Sequence, residues 1–284
     1  MTAAAYLHDP QTLYRHWEDE QWNPWSIDLA SDRDQWEHAL NAQDKALVYW
    51  ALSSLMVAEE RITTKFAGLV MAAESEEEAS FLASQQVDEA RHMQFYARFQ
   101  DEVIADPATI AAHIVRSRQQ LGPSFAVIFD EALVAAHNRL VATPDDAGAK
   151  VDFVTTYHLV IESTLGLTAF EFITRYLSSA QLLPGFIDGY TRIHHDEQRH
   201  IGYGVWYLRE AANRDLALAD RIRAKLRELL PAVANALIPP EREGTDWEAL
   251  GATSAEIRDF ALGGLTRRLN VIGVPLGTLQ ETAP

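Results

Sequence analysis

The chain has 284 residues and no cysteine. This absence excludes disulfide bonds, thiolate nucleophiles, and any zinc or iron–sulfur site that needs sulfur ligands. A metal bound by this chain must therefore be held by Glu, Asp and His side chains.

Basic residues are also scarce. The sequence has 24 Lys and Arg against 41 Asp and Glu, which gives a formal net charge of -17. A surface this negative repels nucleic acid and anionic lipid, so neither is expected as a partner. Most of the acidic side chains are explained by solubility, and only a few need another explanation.

Long apolar runs are missing as well, although 48% of the residues are hydrophobic. The longest runs, such as residues 46–58, are broken by polar residues well short of the roughly 20 apolar positions that a membrane span needs. No membrane span is therefore expected. The first residues lack a basic region followed by an apolar core and a cleavage site, so a cytoplasmic protein is expected.

Apolar residues recur at three- and four-residue spacing through most of the chain, and no stretch alternates as a strand would. The pattern predicts an all-α protein whose long helices, joined by short turns, form a bundle. The predicted helical regions are 36–71, 75–104, 108–142, 148–181, 185–213, 216–237 and 254–269. Residues 1–30, rich in Trp, Pro and Asp without clear periodicity, are expected to form an irregular arm on a single domain that spans 1–284.

The pentapeptide Asp-Glu-x-Arg-His occurs twice, at 88–92 and at 196–200, and both copies lie well inside predicted helices. Glu89 and His92 are therefore three residues apart on a helix, as are Glu197 and His200. That spacing places a carboxylate and an imidazole on one helical face, where both can bind the same ion. One such pair is common by chance, whereas two copies 108 residues apart indicate a metal site.

A further carboxylate lies on the helix before each motif. Glu59 precedes Glu89 by 30 residues, and Glu162 precedes Glu197 by 35, as expected for two helical hairpins. Both have apolar neighbours in sequence, and a lone buried carboxylate costs several kcal/mol unless a cation compensates it. Four Glu and two His in this order are typical of the carboxylate-bridged di-iron or di-manganese site of a ferritin-like four-helix bundle, here with additional helices.

Several residues close to these ligands are candidates for further roles in the site. Asp88 and Asp196 are predicted to accept hydrogen bonds from the ligand imidazoles and so orient them. Tyr96 lies one helical turn after His92, and Tyr157 lies five residues before Glu162; each is either a core aromatic residue or a redox site. The remaining histidines of these regions, His158, His194 and His195, do not fit the repeated spacing and are expected to be polar or surface residues.

With these ligands in place, the chain resembles the ribonucleotide reductase small-subunit superfamily over roughly residues 20–270. The resemblance includes the N-terminal segment Trp22-Asn-Pro-Trp-Ser-Ile-Asp28 with Asp32-Arg-Asp34. Within the superfamily it is most similar to the small-subunit-like ligand-binding oxidases. The motifs that carry this similarity are Ala58-Glu-Glu-Arg-Ile62, Tyr157-His-Leu-Val-Ile-Glu162, Leu165-Gly-Leu-Thr168, Leu183-Pro-Gly185 and Asp196-Glu-Gln-Arg-His200.

The resemblance implies a homodimer with two metal ions per chain, manganese/iron first and iron/iron as the alternative, and a long-chain fatty acid or other apolar small molecule bound nearby. In that family the tyrosine at the position of Tyr157 becomes ether-linked to the β-carbon of a valine. Ile62 takes the place of this valine, and isoleucine keeps the tertiary β-hydrogen that the oxidation removes. The cross-link therefore stays chemically possible between Tyr157 and Ile62.

Three functions follow from the pattern and the resemblance. The first is a dimetal oxidase or oxygenase that activates dioxygen to oxidise a C–H bond of an apolar ligand or of the protein itself. The second is a radical-generating small subunit of ribonucleotide reductase with Tyr96 as the radical site. Such subunits carry a redox-active tyrosine in their tail, whereas the last tyrosine here is Tyr207, and this favours the oxidase. The third is ferritin-like iron storage.

Overall fold

The structure is a computed structural model that describes residues 7–236 and 251–275. The described residues contain helices and turns and no strand, so the predicted all-α class is confirmed. The α-helices are α1 (Pro10–Asp19), α2 (Ala30–His38), α3 (Ala42–Lys65), α4 (Ala67–Met71), α5 (Glu76–Glu102), α6 (Ile110–Arg118), α7 (Pro123–Ala126), α8 (Leu133–Ala142), α9 (Ala147–Val154), α10 (Leu167–Ala180), α11 (Pro184–Arg214), α12 (Leu216–Ala236) and α13 (Ser254–Ile272). None of them is long and apolar enough to cross a membrane.

Two π-helical segments continue neighbouring α-helices. One, Val127–Ala132, joins α7 to α8, and the other, Thr155–Gly166, joins α9 to α10. The sequence predicted one regular helix over 148–181, because a helical periodicity does not reveal a local change from 3.6 residues per turn. π-Helical turns are rare and occur frequently at functional sites. The second segment carries Tyr157 and Glu162.

Four long elements form the central bundle: α3, α5, the continuous α9–π–α10 rod, and α11. α3 packs along α5, and α11 packs against both α5 and the π-helical segment Thr155–Gly166. Their buried apolar side chains form two groups along the bundle. On α3, Met56 belongs to one group and Ile62 to the other, so Glu59 lies between them. The polar centre of the bundle is thus enclosed by apolar residues on both sides.

The N-terminal segment is more regular than predicted. Its residues 1–6 lie outside the described part, but 10–19 form α1 instead of an irregular arm. The Asp9 side chain accepts a hydrogen bond from the Thr12 amide at 2.8 Å, and Pro10 occupies the first helical position. The signal for this helix was present at its start, but ten residues are too few for a clear apolar period. α1 buries Leu13 and packs against α5.

A side chain from α2 fixes the start of α11. Asp32 is fully buried and accepts hydrogen bonds from the amides of Gly185 at 2.8 Å and Phe186 at 2.7 Å. These amides belong to the first turn of α11, where backbone donors have no partner within the helix. The capping therefore ties the N-terminal segment to the helix that carries the second Asp-Glu-x-Arg-His motif.

The close approach of α5 and α11 requires a glycine, and this requirement can be tested. A Cβ atom at Gly189 would overlap the ring of Phe95, so Gly189→Ala is expected to destabilise the fold by about 1–3 kcal/mol through overpacking. Chemical denaturation in one fixed state of metal loading measures the change.

Gly202→Ala is the matched control on the same helix. The nearest side-chain atom to a Cβ there is Leu13 Cδ2 at 3.8 Å, an ordinary contact. Alanine is the better helix former by up to about 1 kcal/mol, so this variant is expected to be neutral or more stable. Equal stability losses in both variants would contradict the packing argument.

Candidate metal centre

Side chains from all four elements of the bundle meet at its centre. They are Glu59 on α3, Glu89 and His92 on α5, Glu162 on the π-helical segment Thr155–Gly166, and Glu197 and His200 on α11. They form two overlapping groups, and within each group the ligand atoms all lie within 4.8 Å of one another. Glu89 and Glu197 belong to both groups, which is the arrangement that carboxylates bridging two ions require.

Each imidazole directs its Nδ1 atom towards the carboxylates. His92 Nδ1 lies 3.5 Å from Glu89 and 3.6 Å from Glu59. His200 Nδ1 lies 3.2 Å from Glu89 and 3.3 Å from Glu162. The i, i+3 spacing of the two motifs therefore brings one carboxylate and one imidazole nitrogen to each side of the same small space.

Each of the six residues has an unsatisfied hydrogen-bonding atom. Each has one buried side-chain atom without a hydrogen-bond partner, namely Oε2 of Glu59, Glu89, Glu162 and Glu197, and Nδ1 of His92 and His200. A buried polar atom left unpaired costs about 1–3 kcal/mol, and more when it is charged. Two cations between the carboxylates would satisfy these atoms together, and oxygen donors with imidazole suit iron and manganese. The donor set fits two metal ions.

Burial raises the pKa of three of the four carboxyl groups when no metal is bound, whereas the two imidazoles outweigh burial and hold the pKa of Glu89 well below its ordinary value. Burial raises the pKa of Glu59 to about 8 and the pKa of Glu162 to about 7, even though the neighbouring imidazoles favour the anions. The pKa of Glu197 also lies well above its ordinary value, through burial and the charges of Glu162 and Glu89. Metal binding must therefore displace protons.

Each motif's aspartate contacts the histidine of the other motif, so the two aspartates are exchanged between the halves of the site. Asp196 lies 3.0 Å from His92 Nε2, and Asp88 lies 3.2 Å from His200 Nε2. Each aspartate thus holds the imidazole of the other motif and leaves its Nδ1 directed at the carboxylates. The sequence suggested the role of these aspartates as acceptors, but it gave no sign of the exchange, because the exchange depends on how α5 and α11 cross.

Residues from outside the motifs hold both aspartates in place. Trp17 Nε1 donates to Asp88 at 2.9 Å, and Trp22 Nε1 donates to Asp196 at 2.8 Å. Arg199 donates to Asp196 and to Glu20, and its contact with Asp88 is 3.4 Å long. Burial disfavours the Asp196 anion, yet the hydrogen bond from His92 and the charges of His92 and Arg199 lower its pKa to about 2. Trp17 was not predicted as a site residue, because its helix was not predicted either.

Tyr157 contacts the centre directly. Its hydroxyl donates a hydrogen bond to Glu89 and accepts one from Gln85 Nε2 at 3.1 Å. The same Gln85 nitrogen lies 3.1 Å from Glu162, and the Gln85 oxygen lies 3.3 Å from His158 Nε2. His158 is a buried polar residue and does not lie on the surface, the other position expected for it from the sequence. Gln85 lies one helical turn before Glu89, so its spacing is consistent with a position at the site. A glutamine at this spacing is too common in helices to predict such a role.

An apolar cavity of about 120 Å³ adjoins the centre. Three of the clustered carboxylates line it, those of Glu59, Glu162 and Glu197. Most of the remaining wall is apolar, and includes Ile62, Leu165, Phe170, Ile173 and Ile193. His194 also lines this cavity, so only His195 of the three unassigned histidines is an exposed surface residue.

Tyr96 lies in the same wall, on the α5 side. It is fully buried, and its hydroxyl has no hydrogen-bond partner. Burial, with the charge of nearby carboxylates, holds the pKa of Tyr96 well above its ordinary value, so the phenol keeps its proton. Tyr190 borders the cavity in the same condition, buried and with an unpaired hydroxyl.

Comparison with known proteins places the chain in a family. The sequence pattern of the family described as ribonucleotide reductase, small chain, matches residues 6–235. The chain therefore belongs to the ribonucleotide reductase small-chain family. The resemblance seen in the sequence motifs is confirmed, and with it the ferritin-like class of the bundle.

Solved structures of R2-like ligand-binding oxidase have the same fold. One variant with an anaerobically reconstituted Mn/Fe cofactor superposes with a TM-score of 0.80 at 23% sequence identity, over 94% of this chain and 94% of that chain. Another, aerobically reconstituted, gives a TM-score of 0.82 at 23% identity, over 93% of this chain and 97% of that chain.

Removing one carboxylate tests the assignment of the ligands. Glu59→Gln keeps the size of the side chain but removes the charge that a cation needs, so metal content is expected to fall from two ions per chain towards one. Glu60→Gln is the control, because Glu60 pairs with Arg118 and Arg61 and lies outside the cluster. Metal analysis after gel filtration measures the stoichiometry, and equal losses in both variants would contradict the assignment.

The raised carboxyl pKa values predict how metal affinity changes with pH. Below about pH 8 for Glu59 and about pH 7 for Glu162, the ligands of the metal-free protein carry protons that metal must displace. Affinity is therefore expected to rise from pH 6 to pH 8, by up to about tenfold per pH unit for each proton displaced. Titration calorimetry in buffers of different ionisation enthalpy counts the released protons. An affinity independent of pH, with no proton release, would contradict the prediction.

Proposed function

We propose that the chain is a dimetal-carboxylate oxidase or oxygenase that uses dioxygen to oxidise a C–H bond. One observation carries the proposal. Six residues at the bundle centre each have a ligand atom without a hydrogen-bond partner, and three of these residues also line an apolar cavity. A storage site needs no such cavity beside its ions. The bound ions would activate dioxygen, because protein side chains alone cannot carry out this reaction.

Manganese/iron is the proposed cofactor, and iron/iron is the alternative. Both halves of the site offer carboxylate oxygens and one imidazole, a donor set that suits either metal. The Mn/Fe cofactors of the similar ligand-binding oxidases support the first choice. By the same likeness, the ion held by Glu59, Glu89 and His92 would be manganese, and the other iron.

The proposed ligand of the cavity is a long-chain fatty acid or another apolar small molecule. An aliphatic chain fits the apolar wall, because transfer from water stabilises it by about 0.8 kcal/mol per buried CH₂ group. The carboxylates at the inner end of the cavity would bring its nearest C–H bonds beside the ions. We also propose a homodimer, which the family resemblance implies.

The protein's own residues offer a second target of oxidation. Tyr157 donates its hydroxyl proton to Glu89, so a base is in place for the loss of that proton. Ile62 is buried in the same apolar group as Tyr157 and lines the cavity beside Glu59. An ether bond between the Tyr157 oxygen and the Ile62 Cβ would replace one O–H and one C–H bond. The two hydrogens leave as protons and electrons, and dioxygen accepts the electrons.

Metal loading without oxygen, followed by exposure to dioxygen, tests the proposal. The expected results are two ions per chain, an absorbance change on exposure, and a protein that has lost two hydrogen atoms by intact mass. Peptide mapping is expected to find Tyr157 joined to Ile62, and Tyr157→Phe should abolish the loss. Failure to bind two metals, or no spectral response to dioxygen, would overturn the function. An unchanged mass with a normal spectral response would remove only the cross-link.

A radical-generating reductase subunit is the second candidate, and membership of the small-chain family favours it. Tyr96 would then be the radical site. A stable tyrosyl radical that is absent from Tyr96→Phe, together with reductase activity on addition of a catalytic subunit, would support this function in place of the oxidase.

A further inference from the structure

A line of aromatic side chains, none of which lines the cavity, runs outward from the metal centre. It begins at Tyr157, whose ring lies 4.5 Å from that of His158 between centroids. His158 lies 5.2 Å from Tyr203, and Tyr203 stacks on Tyr207 at 6.1 Å with an interplanar angle of 21°. Trp206, at 6.0 Å from Tyr203, is a second neighbour nearer the surface. Tyr203 is therefore the residue through which the whole line passes.

Each tyrosine of this line donates its hydroxyl to a carboxylate. Tyr203 donates to Glu78 at 2.6 Å, and Tyr207 donates to Glu74 at 3.2 Å. Tyr157 donates to Glu89. A phenol that loses an electron in an apolar interior must also lose its proton, because an uncompensated buried cation is costly. The carboxylates are placed at the distance that proton transfer needs.

The two buried tyrosines that line the cavity differ from the tyrosines of the line, because they have no carboxylate partner. The hydroxyls of Tyr96 and Tyr190 have no hydrogen-bond partner, so nothing in contact can take their protons. Tyr190 and Tyr203 both lie on α11 and are 3% and 0% exposed. Burial alone thus does not distinguish them, whereas the presence of a proton acceptor does.

A buried lysine fixes the acceptors of the outer part of the line. Lys150 is 1% exposed and lies 2.9 Å from both oxygens of Glu78. Its ammonium group also lies 4.5 Å from the centre of the Tyr207 ring, where it disfavours a radical cation and favours the neutral radical. The line ends at Glu74, whose side chain is 46% exposed and pairs with Arg214 at 3.1 Å.

We propose that Tyr203 and Tyr207 form an electron relay between the surface and the metal centre. The relay rests on the proposed function, which supplies the oxidant. Dioxygen needs four electrons to become water, and two divalent ions provide two of them. When oxidation of a C–H bond provides the other two electrons, no electron passes through the relay. When the cavity holds no oxidisable ligand, the relay provides them one at a time.

The relay step balances in electrons and protons. Tyr203 gives one electron towards the centre through His158 and Tyr157, and its proton passes to Glu78. Tyr207 then gives an electron to the Tyr203 radical, which regains its proton from Glu78, while the proton of Tyr207 passes to Glu74. A one-electron donor in solution, such as a thiol or ascorbate, reduces the Tyr207 radical from the exposed side at Glu74, and Tyr207, itself 3% exposed, regains its proton from Glu74.

The relay can be tested by driving electrons through it with light, without use of dioxygen. Because the chain has no cysteine, Asn213→Cys provides a single labelling site for a ruthenium polypyridyl photo-oxidant. Asn213 is exposed and lies six residues beyond Tyr207 on α11, about 9 Å along the helix axis. A cobalt(III) ammine complex is added to take an electron from the excited ruthenium, and the oxidised label then draws electrons outward along the same residues, in the reverse direction. In protein loaded with divalent metal under anaerobic conditions, a flash is expected to give a transient tyrosyl absorbance and then oxidation of the ions, read by EPR.

Tyr203→Phe is expected to abolish the light-driven oxidation of the ions. Tyr190→Phe, the matched buried tyrosine of the same helix, should leave it unchanged. Oxidation of the ions at the same rate in both variants would overturn the relay. In the unsubstituted labelled chain, D₂O is expected to slow the transfer because a proton moves with the electron, and no isotope effect would count against the relay even if Tyr203→Phe failed to fold.

The test separates failure of the relay from failure of the proposed function. If no metal binds, the proposed function fails, yet the flash still reports a tyrosyl radical that Tyr203→Phe diminishes. If metal binds and dioxygen reacts normally, but the light-driven oxidation of the ions does not depend on Tyr203, only the relay fails.

Discussion

The concentration of acidic groups at the centre of an apolar bundle is the constraint on which this structure depends. Four glutamates and two aspartates lie between two groups of buried hydrophobic residues, and burial opposes the ionisation of the four glutamates. Arginine and tryptophan donors satisfy the outer pair, Asp88 and Asp196. The inner four have weaker support: Tyr157 donates to Glu89 and Gln85 donates to Glu162, and one oxygen of each glutamate has no hydrogen-bond partner among the described residues. Without ions, protons on Glu59, Glu162 and Glu197 offset the buried charge, so metals bound here would act as part of the core.

Much of this centre could be predicted from sequence, for a physical reason. A metal bound between helices requires side chains at fixed helical spacing, and the repeated Asp-Glu-x-Arg-His motif records that spacing directly. Carboxylates within apolar runs, at Glu59 and Glu162, completed the set because an isolated buried charge is expensive. The all-α class followed from the same periodicity.

What could not be predicted depends on how helices cross. The exchange of Asp88 and Asp196 between the two histidines is set by the packing of α5 on α11. α1 was missed because its ten residues, fewer than three helical turns, carry few apolar side chains. The π-helical stretch at Thr155–Gly166 leaves no mark in a 3.6-residue pattern. Partners that are distant in sequence, such as Tyr203 and Glu78, can be found only in the folded chain.

The exchanged aspartates have a consequence for the origin of the fold. Each helical hairpin carries a carboxylate, a Glu-x-x-His pair and an aspartate, but its aspartate serves the histidine of the other hairpin. Neither hairpin therefore holds a complete site, and half of the chain could build one only by pairing with a copy of itself. The repeated motif and the reciprocal aspartate–histidine contacts are what the fusion of two identical hairpins would leave behind.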